Sequence, residues 1–234
     1  MIIEGAISVK AAINYKKRDI KVVYINKDKK TKDFNYIRKI CKLNSIEIEE
    51  KDNEELLSIA SGKSFGGILA EVSARNYDEF SDGDIFYLDG IEDPFNIGYA
   101  LRTLYAFGIK NVLLNKRDYS MMETQLLKSS AGAYDMLNIK IVEDEITEIN
   151  EYKKQGYYLY GLYRGDNSKD IFDVEFKEKA LFILGGEKRG IASELLKLCD
   201  EYLYISYGSD FRNSLNACGA LDVVATLLYG QRRK

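Results

Sequence analysis

The sequence predicts an α/β protein in two parts: a small amino-terminal α/β unit and a larger unit with a mostly parallel sheet. Three observations lead to this prediction. Short apolar runs of strand length recur along the 234 residues, segments of helical spacing lie between them, and a polar stretch interrupts the pattern at 73–83. Alternating strands and helices typically form parallel sheets with helices on both faces. We therefore expect domains at residues 1–75 and 84–234.

The first part is justified by β-branched runs and one amphipathic segment. In chain order, we expect a strand at 20–25, a helix at 34–43, a strand where Ile46 and Ile48 alternate with charged residues, a short helix at 54–60 and a strand at 66–72.

The second part alternates more regularly. Strands are expected at 85–88, 111–114, 139–142, 157–162, 181–184 and 202–205, and helices at 97–107, 122–129, 146–155, 192–199 and 215–229. Parallel sheets bind ligands beyond the carboxyl ends of their strands, so the functional residues are expected in the loops there.

Composition excludes several kinds of chemistry. The chain has no histidine, which rules out a Ser-His-Asp triad and a histidine-ligated metal. Its three cysteines are far apart and form no Cys-x-x-Cys pair, a usage that fits a reducing cytoplasm without disulfides or a zinc finger. No signal peptide or membrane-length apolar run is seen. We expect a cytoplasmic protein with no metal and no membrane partner.

Charge is distributed unevenly. The stretch up to Arg75 carries 15 Lys and Arg against 11 Asp and Glu, a net charge of +4, whereas the rest of the chain carries −7. A basic first module is compatible with docking on a phosphate backbone. A solvated lysine-rich surface is the simpler alternative, and charge alone favours it.

The first of three unusual loops follows the strand at 85–88. It carries Asn96, a favourable helix cap, and Gly98, which allows another backbone to come close. Arg102 lies one helical turn beyond Gly98 on the same expected face. An isolated helix arginine is by default a surface residue, so this loop alone is a weak signal.

The second loop, residues 185–191, places three glycines behind an apolar strand. It has neither the Gly-x-Gly-x-x-Gly order of dinucleotide sites nor the Gly-Lys-Ser/Thr of a P-loop. Its glycines would let main-chain groups face a ligand, although a flexible turn into a helix is an equal alternative.

The third loop, residues 205–216, ends in the polar cluster Asn213, Ser214 and Asn216. Ser214 or Asn213 is expected to cap the last helix. Capping accounts for one polar residue but not for the cluster, which is therefore a candidate site.

Together and in this order, the three loops resemble the motifs of the SpoU/TrmH family of RNA ribose methyltransferases in the SPOUT superfamily. The matching residues are Asn96, Gly98, Arg102, Thr103, Phe107 and Gly108, then Leu184, Gly185, Gly186, Glu187 and Gly190, then Ser214, Leu215 and Asn216. Residues 1–72 also resemble the ribosomal-protein-L30-like extension of the rRNA-directed branch, through Glu4-Gly5 and residues 66–72.

This resemblance implies S-adenosylmethionine-dependent 2′-O-methylation of a ribose in RNA, with rRNA favoured over tRNA. It implies an L30-like RNA substrate-binding domain at 1–75 and a methyltransferase domain at 84–234 that is tied in a deep trefoil knot. It also implies a homodimer packed through the last helix. The stripe of Leu221, Val224, Ala225 and Leu228 suits that packing, and would equally suit burial within one chain.

The resemblance also assigns residues. The catalytic set is Arg102, Asn96, Glu187, Ser214 and Asn216. The cofactor set is Leu184, Gly185, Gly186, Gly190, Ile205 and Leu215, with contacts through the main chain near Gly185, Ile205 and Leu215 and with the glycines making room. Because a guanidinium stays protonated at neutral pH, our hypothesis is that Arg102 binds the phosphate beside the target ribose and stabilises the emerging alkoxide.

Two features leave alternatives open. Ile205 is followed by Ser206 and Tyr207 where the family usually has Pro-Met, and the stretch to Ser214 is one residue longer, which bears on cofactor grip and on the RNA target. Separately, a non-catalytic RNA-binding paralogue of the same fold is an alternative, and within the family tRNA is the second candidate substrate. A nucleotide-binding enzyme such as a dehydrogenase is disfavoured, since the glycine fingerprint is missing.

Overall fold

A computed structural model describes residues 1–62 and 65–233. By their internal contacts these residues form two compact units, Met1–Tyr77 with Asp118–Met136, and Asp78–Arg117 with Leu137–Lys234. The first change of unit, between Tyr77 and Asp78, falls inside the polar stretch at 73–83.

The elements are numbered in chain order. The strands are β1 (Ile2–Glu4), β2 (Ile20–Asn26), β3 (Glu47–Lys51), β4 (Ile68–Val72), β5 (Ile85–Asp89), β6 (Asn111–Asn115), β7 (Asn138–Val142), β8 (Tyr158–Leu162), β9 (Lys169–Asp170), β10 (Ala180–Gly185) and β11 (Glu201–Tyr204). The helices are α1 (Ala6–Tyr15), α2 (Lys32–Leu43), α3 (Asn53–Ile59), α4 (Pro94–Ala106), α5 (Glu123–Ser129), α6 (Ala133–Met136), α7 (Glu145–Lys154), α8 (Ser193–Leu198) and α9 (Ala217–Arg232). Short 3₁₀ turns lie at Ser120–Met122 and Ile171–Asp173.

The first unit contains a four-stranded sheet in the order β1-β4-β2-β3. β2 and β3 are parallel, and β4 runs antiparallel to both β1 and β2. The segment with α5 and α6 belongs to this unit because its carboxylates pair with Arg18. The Arg18 guanidinium donates to Glu123 at 2.7 Å and to Asp135 at 2.8 and 2.9 Å, and the three side chains are at most 3% exposed.

The second unit is a seven-stranded, all-parallel sheet in the order β7-β6-β5-β10-β8-β11-β9. Its central strands are buried on both faces, which explains why they are continuously apolar in sequence. Because β5, β10, β8 and β11 are parallel neighbours, the loops that follow them leave from the same edge of the sheet.

The predicted fold class is confirmed: the chain is α/β with a mostly parallel sheet. Each strand predicted beyond residue 84 is present within one residue of its expected ends. The last helix begins at Ala217 and ends at Arg232, later than predicted at both ends. β1, α1, α6 and β9 were not predicted.

The apolar stripe of α9 is used within the chain. Leu221, Val224, Ala225 and Leu228 are at most 1% exposed, and α9 packs against α4. Of the two alternatives for this stripe, the structure favours burial within one chain. No helix among the described residues is long and apolar enough to span a membrane.

Candidate active site

A cavity of about 660 Å³ lies at the carboxyl edge of the sheet in the second unit. It is bounded by the loops after β8, β10 and β11 and by the start of α9. The lining residues are Leu162, Tyr163, Arg164, Leu184, Gly185, Gly186, Glu187, Gly190, Leu203, Tyr204, Ile205, Tyr207, Arg212, Ser214, Leu215, Asn216, Ala217 and Ala220. Three of these four segments are stretches that the sequence singled out.

The first loop is organised by Asp93 rather than Asn96. The Asp93 carboxylate caps α4 by accepting from the backbone N–H groups of Phe95 and Asn96, both at 2.9 Å, and Pro94 takes the first helical position. The prediction that Asn96 caps this helix was therefore wrong. Asn96 lies within the first turn, which leaves its amide free to reach another loop.

The second loop is anchored to the buried carboxylate of Asp89, the last residue of β5. Asp89 accepts from the Ala192 N–H at 2.9 Å and from the Arg189 guanidinium at 2.5 Å. The Asp89 carbonyl accepts from the Gly186 N–H at 2.7 Å. The segment between β10 and α8 is thus held against the end of β5.

The glycines of this loop are needed for packing of the backbone. A Cβ on Gly185 would lie 2.1 Å from the carbonyl carbon of Gly190, and one on Gly186 would lie 2.1 Å from the carbonyl oxygen of Gly90. Neighbouring backbone, rather than a ligand, takes the space that these two missing side chains leave. Gly190 has a φ of +66°, which favours glycine for conformational reasons.

The third loop leads into α9 through Asn216. The Asn216 side chain accepts from the Cys218 N–H at 2.8 Å and is the helix cap, so the prediction that Ser214 or Asn213 caps this helix was wrong. The Leu215 N–H donates to the Tyr207 hydroxyl at 3.1 Å, which closes the loop on itself.

Glu187 joins the three loops. Its Oε1 atom accepts from the Asn96 side-chain amide at 3.4 Å and also from the Asn216 side-chain amide. The Cys218 thiol donates to the Asn96 carbonyl at 3.2 Å. Residues separated by more than 100 positions therefore meet around one carboxylate at the edge of the cavity.

The predicted site residues divide into two groups. All six predicted cofactor residues line the cavity, as do Glu187, Ser214 and Asn216. Asn96 is outside the lining but contacts Glu187. Arg102 is exposed on α4, outside the lining, and forms no hydrogen bond or ion pair with any described residue.

Several lining residues were missed from the sequence: Leu162, Tyr163, Arg164, Tyr204, Tyr207 and Arg212. The loop after β8 was overlooked because it has no glycine cluster like that of residues 185–191. Its signal was positional, since Arg164 follows the end of a predicted parallel strand in the way that Asn96 and Glu187 do.

The decisive comparison comes from families of related sequences. The profile of the SpoU rRNA methylase family matches residues 84–226, and a profile described as RNA 2′-O ribose methyltransferase substrate binding matches residues 2–78. The chain belongs to the SpoU family of RNA methyltransferases. The resemblance found in the three loops is confirmed.

Individual proteins similar to this SpoU-family chain agree. The mitochondrial rRNA methyltransferase 1 of Schizosaccharomyces pombe is 25% identical over 94% of this chain and 86% of its own length. The methyltransferase AviRb from Streptomyces viridochromogenes, crystallised with AdoMet, matches with a TM-score of 0.81 at 17% identity, over 100% of this chain and 91% of that one. The AdoMet-bound rRNA methyltransferase from Sinorhizobium meliloti matches with a TM-score of 0.79 at 16% identity, over 99% of this chain and 87% of that one.

Burial keeps the Cys218 thiol beside this SpoU-family site in its protonated form. Burial, together with the carboxylates of Asp222 and Glu187, raises the pKa of the Cys218 thiol to about 11, so the thiol is neutral at pH 7. Below the site, burial and the nearby Glu145 carboxylate raise the pKa of Tyr87 well above its usual value. Within residues 1–62 and 65–233, no cluster of three or more His, Cys, Asp or Glu could hold a metal ion.

Proposed function

We propose that this protein transfers a methyl group from S-adenosylmethionine to a ribose 2′-hydroxyl in ribosomal RNA. The observation that carries the proposal is the meeting of three SpoU-type loops around Glu187, at the edge of a cavity built on the carboxyl ends of parallel strands. Family membership supports the reaction class. The non-catalytic paralogue is disfavoured because the polar cluster around Glu187 is intact.

The cavity fits a nucleoside-sized cofactor. Its volume of about 660 Å³ is in the range of small-molecule sites, and it combines leucine side chains with main-chain groups. Leu184, Ile205 and Leu215 would hold the adenosine part, and the Glu187 carboxylate suits a cationic centre. When bound, S-adenosylmethionine supplies a methyl group activated on a positively charged sulfur.

The protein's own contribution is positioning and charge stabilisation. Glu187 keeps Asn96 and Asn216 in fixed positions, and Ser214 lies beside them on the cavity wall. We assign to Arg102 the binding of the phosphate next to the target ribose, where its charge favours loss of the hydroxyl proton. Its guanidinium has no partner among the described residues, so it is available for an RNA phosphate.

The amino-terminal domain, residues 1–75, is proposed to present the RNA. The substrate-binding profile at residues 2–78 and the net charge of +4 support this role. The relative named as an rRNA methyltransferase supports rRNA as the target, and tRNA is the second candidate. A cytoplasmic location and the trefoil knot stay predictions.

The reaction is tested by mapping 2′-O-methyl groups in rRNA and tRNA from cells with and without this protein. We expect one ribose in rRNA to lose its methyl group. If a methyl group is lost from tRNA instead, tRNA is the substrate. If neither RNA loses a methyl group, the proposal is contradicted. In vitro, Arg102→Ala should abolish methylation but weaken RNA binding only slightly, because one phosphate contact of several is lost. Wild-type methylation by that variant would refute its role.

We also infer a homodimer. Because the α9 stripe is buried within the chain, the contact must use another face. Phe95 and Tyr99, one turn apart on α4, are 49% and 50% exposed and so form an adjacent pair of exposed aromatic side chains on that helix. Sedimentation should give a dimer for the wild type and a folded monomer for Tyr99→Glu. A monomeric wild type would overturn this inference.

A further inference from the structure

Along one wall of the cavity the Arg164 guanidinium lies between two tyrosine rings, and a phenylalanine ring follows just outside the lining residues. The Arg164 guanidinium lies 5.9 Å from the ring centre of Tyr204 and 5.7 Å from that of Tyr207. The Tyr207 ring in turn lies 5.8 Å from the ring of Phe211, which is 50% exposed. We name Tyr204, Arg164, Tyr207 and Phe211 the aromatic ladder. It connects the loops after β8 and β11.

The two arginines on this wall lack a carboxylate partner among the described residues, whereas Arg189 and Arg232 of the same unit have one. Arg189 and Arg232 donate to carboxylates, and Arg117 donates to a carbonyl. Arg164 and Arg212 form no hydrogen bond or ion pair with residues 1–62 or 65–233, although Asp166 and Asp210 lie on the same loops. A guanidinium stacked by its faces keeps its N–H edge available for an anion.

The ladder is also held in place. The Tyr207 hydroxyl accepts from the Leu215 N–H at 3.1 Å, which ties the ladder to the residue before the cap of α9.

Resting on the proposed function, we propose that the aromatic ladder and Arg212 form a contact site for single-stranded RNA next to the cavity. Exposed aromatic faces stack on bases of any sequence, and arginine edges bind phosphates. The exposed ring of Phe211, with the Arg164 guanidinium on the same ladder and Arg212 next in the chain, matches a short unpaired strand better than a duplex, whose bases are already stacked. The ladder would hold nucleotides that flank the target ribose.

The test measures binding of labelled oligouridylate and oligoadenylate over a range of salt concentrations. Phe211→Ala should weaken binding about ten-fold and leave the salt dependence unchanged, because a stacked base is lost. Arg164→Gln should weaken binding and also reduce the slope of log K against log salt by about 0.7, because one phosphate contact is lost.

Matched controls are Phe172→Ala, since Phe172 is 55% exposed outside the cavity, and Arg233→Gln, since Arg233 lies over the ring of Tyr229. Both should bind like the wild type. Thermal unfolding confirms that all variants are folded, and calorimetry measures S-adenosylmethionine affinity in each.

The proposal is overturned if the ladder variants bind the oligonucleotides like the wild type, or if the wild type binds neither. A weaker cofactor affinity with unchanged RNA binding would also overturn it, because Arg164 would then hold the cofactor carboxylate. Methylation of rRNA by the wild type is measured separately, so that failure of the ladder proposal is distinguished from failure of the proposed function.

Discussion

Glu187 is the residue on which the arrangement of the site depends most directly. One oxygen atom accepts from amides on two loops, so truncation would release both. We expect Glu187→Ala to lower kcat/KM about ten-fold, roughly the effect of losing one charged hydrogen bond, with Glu187→Gln in between. The measurement is methylation kinetics.

The matched control is Glu194→Ala, which removes an exposed carboxylate paired with Lys197 on α8. Wild-type kinetics for Glu187→Ala would show that the two asparagines hold their positions without it.

Position 186 requires glycine because the backbone of Gly90 leaves no room for a side chain. An alanine substitution there can be compared with one at Gly208, which has no atom nearby. Alanine at 186 would place a methyl group against the Gly90 carbonyl, and we expect a loss of about 1–3 kcal/mol in the free energy of unfolding. Gly208→Ala, in the third loop, meets no atom within 4 Å and should change stability by less than about 0.5 kcal/mol. Equal stabilities of the two variants, by denaturant titration, would contradict this reading.

Cys218 should react slowly with alkylating reagents. With a thiol pKa of about 11, its thiolate fraction, and hence its alkylation rate, should still rise about ten-fold per pH unit between pH 7 and 9. The alkylation rate of a free cysteine stops rising steeply near its pKa of about 8.5. Mass-spectrometric mapping of the modified peptide measures this, with Cys218→Ser as the blank. A plateau near pH 8 would mean that burial does not protect the thiol.

At the level of elements, the Asp93 cap positions both α4 and Asn96. Asp93→Ala removes the acceptor for two backbone N–H groups and should destabilise the protein by about 1 kcal/mol. Asp93→Ser should recover most of this loss, because serine also caps helices. Thermal unfolding measures both variants, and equal melting temperatures for alanine and serine would exclude a capping role.

The central strands β5, β6 and β10 were predictable because both of their faces are buried, so that each is a largely apolar run. Helix ends were less predictable. Asn96 and Ser214 are both good caps by type, and the choice of Asp93 and Asn216 depends on where the chain turns. α1 was missed because its first turn contains no acidic residue or side-chain cap, and β9 because it has two residues.

At the scale of the whole molecule, the buried ion network around Arg18 connects distant segments of the first unit. Arg18→Ala would leave the buried Glu123 carboxylate without its ion-pair partner and Asp135 with only Arg75 at 3.8 Å, and we expect a loss of about 3–5 kcal/mol. Arg38→Ala, which breaks an exposed pair with Glu50, should cost less than about 1 kcal/mol. Urea unfolding followed by circular dichroism compares them, and similar losses would contradict the assignment.

The candidate site could be predicted only in part, because some of its contacts join residues that are far apart in the sequence. The glycines of the second loop and the Asn-Ser-Leu-Asn cluster are local features, so they could be identified from the sequence. The ladder joins Arg164 to Tyr207 across more than 40 positions, and the ion network joins Arg18 to Asp135 across 117. Such pairings depend on strand order, which no local pattern contains.

The division into units also bears on how this protein could have been assembled in evolution. The chain changes unit three times, after Tyr77, Arg117 and Met136. A gene that gained or lost its first 77 codons in one event would leave Glu123 and Asp135 without Arg18. Exchange of the amino-terminal module between relatives therefore requires coordinated change in residues 118–136, and that segment is where a record of such exchange should be sought.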